Sequence, residues 1–250
     1  MPSPLHLHLA TEQDTTRLGQ VLARWVQPGT VLLLHGPIGA GKTHLARALI
    51  RARLGHDEDV PSPTFTLVQT YDAPDAEIWH ADLYRLSHPD EGWELGLDQA
   101  FQTAICLIEW PDRLGKAIPP DAIHLTLPAS GDGRDVRIDA PAHPAMLRIL
   151  ARDAQAQRFI LSAGWGIASR RFLAGDASDR SYDRLTRGAE TAVLMDAPPG
   201  KGDDPASFVT IARHLTGLGL SAPQILSQDL DTGFLLLEDL GDALFARILK

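Results

Sequence analysis

Val31-Leu32-Leu33-Leu34-His35-Gly36-Pro37-Ile38-Gly39-Ala40-Gly41-Lys42-Thr43 is the stretch whose reading decides the fold. An unbroken apolar run passes into Gly-x4-Gly-Lys-Thr, and the residues that follow, Leu45, Ala46, Leu49 and Ile50, recur at helical spacing. A buried strand, a glycine loop and a helix in this order form the context in which such a pattern cradles phosphate. The glycines let backbone N–H groups turn inward around an anion, the Lys42 ammonium can neutralise β- and γ-oxygens, and the Thr43 hydroxyl can ligate Mg²⁺. Gly36, Gly39, Ala40, Gly41, Lys42, Thr43 and His44 are therefore the candidate phosphate-binding set. The helix is expected from Thr43 to Leu54, closing at Gly55. Arg47 and Arg51 lie four residues apart on one of its faces, read as solvated, with contact to an acidic partner as the alternative.

Upstream, Leu5, Leu7 and Leu9 alternate with His6 and His8, which predicts an opening strand with two solvated histidines. Thr11 and Asp14 have the spacing of a helix start, followed by Leu18, Val21, Leu22 and Trp25, and Pro28-Gly29 ends the element. Downstream, the polar, proline-rich run from Asp57 to Thr64 predicts a loop, followed by strands Phe65 to Tyr71 and Glu77 to Leu83 about a turn at Asp72-Ala73-Pro74-Asp75. The second of these carries His80-Ala81-Asp82-Leu83-Tyr84-Arg85. Behind a phosphate loop, a carboxylate at the end of a neighbouring strand meets the second requirement of a Mg²⁺ site, and Asp82 is that carboxylate.

His88 to Phe101 reads as helical with a break at Gly96, and the buried strand Ala104 to Ile108 runs into Glu109-Trp110-Pro111. Ligands of open α/β sheets bind outside the carboxyl ends of the strands, so Glu109 and Trp110 are expected on the rim that holds Gly36 to Thr43 and Asp82. There Glu109 can position a metal-bound or attacking water, and Trp110 offers a flat face to an adenine. A hairpin, Ala122 to Leu127 and Val136 to Ile138 about Ser130-Gly131-Asp132-Gly133, completes the sheet. A long helix from Ala145 to Ala163 carries the polar patch Arg152-Asp153-Ala154-Gln155, where the boundary between domains 1–153 and 154–250 is placed.

A chain of 250 residues with 44% apolar content has room for one large domain or two modest ones. No apolar run approaches the ~20 residues that span a bilayer, and Met1-Pro2-Ser3-Pro4 is no basic-then-apolar leader, so a cytoplasmic protein without membrane contact is expected. Cys106, the only cysteine, lies in an apolar run and is read as a buried structural thiol. A formal charge of −9 argues that any nucleic acid is held by a partner.

Four blocks occur in fixed order: Gly36 to Thr43, Ser62-Pro63-Thr64-Phe65-Thr66-Leu67, His80 to Arg85, and Ile108-Glu109-Trp110-Pro111. Together they closely resemble the TsaE family, the ATPase of bacterial N6-threonylcarbamoyladenosine formation on transfer RNA. The resemblance covers the first domain and implies ATP and Mg²⁺ as cofactors, with Lys42 and Thr43 on phosphate and metal. It also implies a nucleotide-sensing switch from Ser62 to Leu67 that includes Thr64, Asp82 and Glu109 serving metal and hydrolysis, and Trp110 stacked on adenine. Implied partners are the TsaB and TsaD proteins, which hold the transfer RNA and perform the carbamoyl transfer. Hydrolysis by the isolated domain is expected to be slow, since no arginine finger is identifiable.

The second segment contains Phe172 to Tyr182, a strand Ala192 to Met195, a helix Phe208 to Leu218, and a hairpin of Gln224 to Leu230 with Phe234 to Leu237. This order resembles the N-terminal lobe of aminoglycoside-phosphotransferase-like kinases, particularly amino-sugar kinases acting on N-acetylmuramic acid and N-acetylglucosamine. The resemblance implies that Gly175 to Ser178 covers ATP phosphates and that Glu238-Asp239-Leu240 is the hinge. Met195 stands where such a lobe carries its lysine, and Lys250 is reached before any catalytic-loop Asp-to-Asn pair, so a truncated piece of a longer fusion is expected.

The fold expected is α/β, a P-loop NTPase with a central, mostly parallel sheet, followed by a smaller α+β kinase-like lobe. The leading function is an ATP-hydrolysing switch for transfer-RNA modification. The alternatives are an amino-sugar kinase whose first domain is regulatory, and a nucleotide-dependent binding module without meaningful hydrolysis.

Overall fold

The computed structural model describes residues 3–88, 90–128, 133–175, 180–200, 202 and 204–241. Ser130, Gly131 and Asp132 of the expected hairpin turn lie outside the described residues, as do Asp176, Ala177 and Ser178 of the expected phosphate-covering loop. Contacts divide the chain into two units, Met1–Asp153 and Ala154–Lys250.

The first unit is built on β1 (Leu5–Leu9), β2 (Val31–His35), β3 (Val68–Ala73), β4 (Ala76–Asp82), β5 (Ile105–Glu109), β6 (Ile123–Thr126) and β7 (Arg134–Asp139). They form one sheet in the order β1-β7-β6-β2-β5-β4-β3. The four central strands β4, β5, β2 and β6 run parallel. The outer strands β1, β7 and β3 pair antiparallel. Every residue of β5 and the first four of β2 are buried, as expected of parallel strands covered on both faces.

The α-helices are α1 (Glu12–Trp25), α2 (Lys42–Leu54), α3 (Asp90–Glu94), α4 (Leu97–Thr103) and, across the boundary between the units, α5 (Pro144–Ser162), and a 3₁₀ helix, Pro111–Ala117, follows β5. Helix α1 opens on a complete capping box, in which Asp14 N–H donates to Thr11 Oγ1 at 3.2 Å and Thr11 N–H to Asp14 Oδ2 at 3.0 Å. Helices α1 and α2 pack closely because Gly19 has no side chain; a Cβ there would stand 2.7 Å from Ala48 Cβ. Gly96 separates α3 from α4 with φ of +80°, the break expected.

Two local readings change. The strand expected from Phe65 starts only at Val68, and the residues before it form turns, leaving Phe65 82% exposed. The hydroxyls of Ser62 and Thr64 are drawn to Asp82, Leu67 N–H donates to Pro63 O at 2.7 Å, and Leu67 takes a left-handed φ of +64°. These contacts turn the segment away from the sheet despite its strand-like pattern. Likewise, the arginine face of α2 clasps the chain's own loop: Arg47 Nε donates to Val60 O at 2.8 Å and Arg51 Nε to Glu58 O at 2.7 Å.

Cys106 lies fully buried in β5, and burial, with Glu77 adding to it, pushes its thiol up to about 12. At pH 8 about 10⁻⁴ of such a thiol is ionised, so a disulfide reagent should label Cys106 only as fast as the unit opens. In the unfolded chain the thiol ionises at lower pH, so the native state is favoured fully below that range. The advantage is lost as pH rises toward 12, at about 1.4 kcal/mol per pH unit. Rapid labelling without denaturant would contradict this.

The second unit is an antiparallel sheet of β8 (Ser169–Gly175), β9 (Ser181–Arg187), β10 (Glu190–Asp196), β11 (Ile225–Asp229) and β12 (Phe234–Glu238), ordered β11-β12-β10-β9-β8. Strict alternation in β10 and β12 gives the sheet two apolar faces. Leu194, Phe234 and Leu236 pack with Ala156, Phe159 and Ile160 of α5 and with Trp165. Met195, Leu235 and Leu237 pack with Val209 of α6 (Pro205–Gly217). Two low-exposure ion pairs, Arg170–Asp183 at 2.6 Å and Arg184–Asp239 at 2.7 Å, tie β8 to β9 and β9 to the end of β12. Among the described residues of the whole chain, no helix is long and apolar enough to cross a membrane.

Candidate functional site

The parallel register assembles the site. It sets Asp82 opposite Glu109 on adjacent strands and Glu109 opposite Leu34, so both carboxylates emerge beside the loop that begins at Gly36. At Gly36, φ is +143° and a Cβ would come 2.2 Å from Leu127 O, so only glycine lets β2 leave the sheet against β6 here. Gly41, also left-handed, is the N-cap of α2 and brings no side-chain cap. The first backbone N–H groups of the helix are thereby left to an anion.

Lys42 is 4% exposed, with its ammonium donating to Gly36 O and Pro37 O at 2.8 Å each and lying 4.1 Å from the centroid of the Trp110 ring. Burial lowers its pKa, while Glu109 and Asp82 act against that shift. Thr43 Oγ1 donates to Glu109 Oε2 at 3.1 Å, and the other carboxylate oxygen, Oε1, is 2.9 Å from His80 Nε2. Asp82 Oδ2 accepts from Thr64 Oγ1 at 2.9 Å and Ser62 Oγ at 3.4 Å, and Oδ1 accepts from Tyr84 N–H at 3.0 Å.

The cleft so formed measures about 380 Å³ and is lined by the loop from Ile38 to His44 together with Ser62, Thr64, Asp82, Tyr84, Glu109 and Trp110. Every residue nominated from the sequence lines it except Gly36, which lies at its base and holds Lys42. Thr43, Asp82 and Glu109 offer hard oxygen donors in one place, the chemistry Mg²⁺ takes. Among the described residues no three His, Cys, Asp or Glu side chains form a metal cage. Mg²⁺ sites use one or two carboxylates plus phosphate oxygens and water. The residues present thus fit a magnesium–nucleotide.

Trp110 has a left-handed backbone, φ +59°, that swings its ring off the end of β5 against Tyr84, 4.9 Å away. One face of the ring, expected as a platform for adenine, carries the Lys42 ammonium. Across the loop, a second cleft of about 390 Å³ is lined by Ala10, Thr11, Glu12, Pro37 to Ala40, Pro128, Gly133 and Arg134. His44 turns toward α1, its Nε2 3.0 Å from Thr16 Oγ1, and its pKa is lowered by burial, offset by Glu12 and reinforced by Arg134 and Arg47.

Sequence reasoning passed over Ser62 as a metal-side group, gave His80 no role beyond its place in the block His80 to Arg85, and passed over Glu12 and Arg134 altogether. His80 had one available signal: it stands two residues before Asp82 and so shares its face of β4. In the second unit, Met195 is fully buried in the core and presents no charge, and Asp239 is held by Arg184. Burial would raise the Asp239 pKa, but the Gly241 N–H, Arg184 and Thr191 together bring it below the usual carboxylate range.

The family model described as threonylcarbamoyl adenosine biosynthesis protein TsaE matches residues 9–136. The phosphotransferase enzyme family model matches residues 169–248. The tRNA threonylcarbamoyladenosine biosynthesis protein TsaE of Rickettsia conorii is 40% identical over 121 residues, 48% of this chain and 69% of that protein. Its counterpart in Rickettsia bellii is 36% identical over 126 residues, 50% of this chain and 88% of that protein. The crystal structure of Bacillus subtilis YdiB superposes with a TM-score of 0.52 at 26% identity, covering 61% of this chain and 97% of the other. The geometry of the loop, a family model that takes in half of the sequence and relatives of this identity converge: the chain belongs to the TsaE family.

Proposed function

We propose that the first unit binds and hydrolyses Mg·ATP as a switch in the formation of N6-threonylcarbamoyladenosine on transfer RNA, in a complex with the TsaB and TsaD proteins. The observation that carries this reading is the convergence of Lys42, Thr43, Asp82 and Glu109 on one cleft. Backbone N–H groups from Gly39 to Thr43 cradle the phosphate chain, and Lys42 exchanges the carbonyl oxygens of Gly36 and Pro37 for β- and γ-oxygens. Thr43 Oγ1 and Asp82, with Glu109 beside them, would hold Mg²⁺, which when bound would supply charge neutralisation at the transferred phosphoryl group. Glu109 orients the attacking water, and Trp110 walls the cleft next to Lys42. Ser62 and Thr64, hydrogen-bonded to Asp82, transmit the state of the metal side to the exposed Phe65.

Because the phosphate-binding lysine and the carboxylates gather on the β4–β5 side of the loop, the base is assigned to the cleft on its other side, beside Glu12 and Arg134. Glu12→Ala should then weaken ATP binding about tenfold and leave tripolyphosphate binding unchanged, measured by calorimetry. Equal loss for both ligands would return the base to Trp110.

A phosphate-release assay with and without TsaB and TsaD proteins tests the function. Slow release alone and acceleration by the partners are expected, and no release in either condition would sink the reading. To the second unit we assign no phosphotransfer by itself, on the strength of the buried Met195. Incubation of residues 1–250 with ATP and N-acetylmuramate should yield no sugar phosphate.

A further inference from the structure

We propose that His80 is a positioning residue for hydrolysis, fixing the Glu109 carboxylate through a buried hydrogen bond. The proposal rests on the reading of Glu109 as the carboxylate that orients water. His80 is fully buried on β4, does not line the cleft, and has Nε2 2.9 Å from Glu109 Oε1, itself on a residue only 2% exposed. A carboxylate accepts, so Nε2 carries the hydrogen, and Nδ1 is left buried with no hydrogen-bond partner.

That unpartnered nitrogen is informative. An apolar side chain of similar size would fill the space without burying a lone pair, so packing is not what an imidazole adds here. What it adds is one hydrogen bond to one oxygen of Glu109. The other oxygen, Oε2, is held by Thr43 Oγ1 at 3.1 Å. With both oxygens tied, the carboxylate cannot turn about its terminal torsion without breaking a hydrogen bond. This pre-orients it toward the cleft and leaves Thr43 Oγ1 a defined direction for its lone pairs. His80 is not among the residues lining the cleft and acts through Glu109 alone.

The test uses the full chain with its TsaB and TsaD partners, comparing wild type with H80Q, H80L and H80N. Three quantities are read: single-turnover hydrolysis of ATP, affinity for the non-hydrolysable analogue AMP-PNP by calorimetry, and Tm. The terminal amide nitrogen of glutamine can occupy the place of Nε2, whereas that of asparagine falls short and leucine has no donor. H80L and H80N are expected to lose about 10–100-fold in the hydrolysis step with analogue affinity within about threefold, and H80Q to stay within about fivefold of wild type.

A merely structural role would move rate, affinity and Tm together and would give H80Q no advantage over H80N. Wild-type rates in H80L and H80N, or equal losses in H80Q and H80N, would overturn the proposal, and the two amides decide it should H80L not fold. Glu109→Gln separates the layers. If it abolishes hydrolysis while the His80 variants do not, only this inference fails; if wild type itself hydrolyses nothing, the ATPase reading and this inference fall together.

Discussion

Lys42→Ala should reduce partner-stimulated phosphate release by about 10²–10³-fold and weaken Mg·ATP binding about 10²-fold while the first unit stays folded. Lys42 is the only lysine or arginine among the residues lining the cleft, and it faces two carboxylates, Asp82 and Glu109. Without it those charges repel the triphosphate instead of framing it. The fold should tolerate the change because burial already disfavours this ammonium, as its lowered pKa indicates. A group whose folded pKa is depressed in this way, if it is a cation, costs stability below that pKa, and the cost fades as pH rises through it. At neutral pH that cost opposes the two hydrogen bonds to Gly36 O and Pro37 O that the variant loses, so the alanine variant should stay folded, within about 1–2 kcal/mol of wild type. Phosphate release, calorimetric affinity and a thermal melt check the three parts, and unchanged turnover would remove Lys42 from the site.

Phe234→Ala should destabilise the second unit by about 3–5 kcal/mol and leave ATP turnover by the first unit unaltered. Phe234 is fully buried, and its ring lies 5.7 Å from that of Phe159 at 21°, between β12 and α5. Truncation removes most of a large side chain from the centre of a small core that also holds Leu194, Leu236 and Trp165. A unit of this size has about 5–10 kcal/mol of stability in total, so the loss should appear as a separate, earlier transition in calorimetry. A single transition shifted as a whole, or lost ATPase activity, would contradict the prediction.

The relation between sequence and site differs from residue to residue. Gly36, Gly39, Gly41, Lys42 and Thr43 declare themselves because a loop that folds around phosphate needs those residue types at those positions whatever surrounds them. Asp82 and Glu109 were legible one step less directly, each as an acid at the carboxyl end of an apolar strand, and the parallel register sets the two side by side. His80 signalled its face of β4 but not its role, since that depends on a carboxylate 29 positions away. The turn from Thr64 to Leu67 was hidden for the same reason: its apolar pattern suits a strand, but two hydroxyls captured by Asp82 decide otherwise. Arg47 and Arg51 read as solvated on spacing alone, whereas they hold backbone carbonyls of the chain's own loop, which carry no sequence signature, and Arg51 also pairs with Asp57 at 3.1 Å.

By itself, then, the sequence determined the phosphate loop, the α-helices but not the 3₁₀ helix Pro111–Ala117, the buried strands and the order of the four blocks that mark the family. Those features rest on local periodicity, glycine geometry and short motifs, which act between neighbours in the chain. Tertiary structure alone decided that a face of Trp110 meets Lys42, that Glu109 is gripped between Thr43 and His80, and that the segment before β3 is a turn held on Asp82. Each of those depends on strand register and on hydrogen bonds across the sheet, where the partner is chosen by distance in space and not by position in the chain.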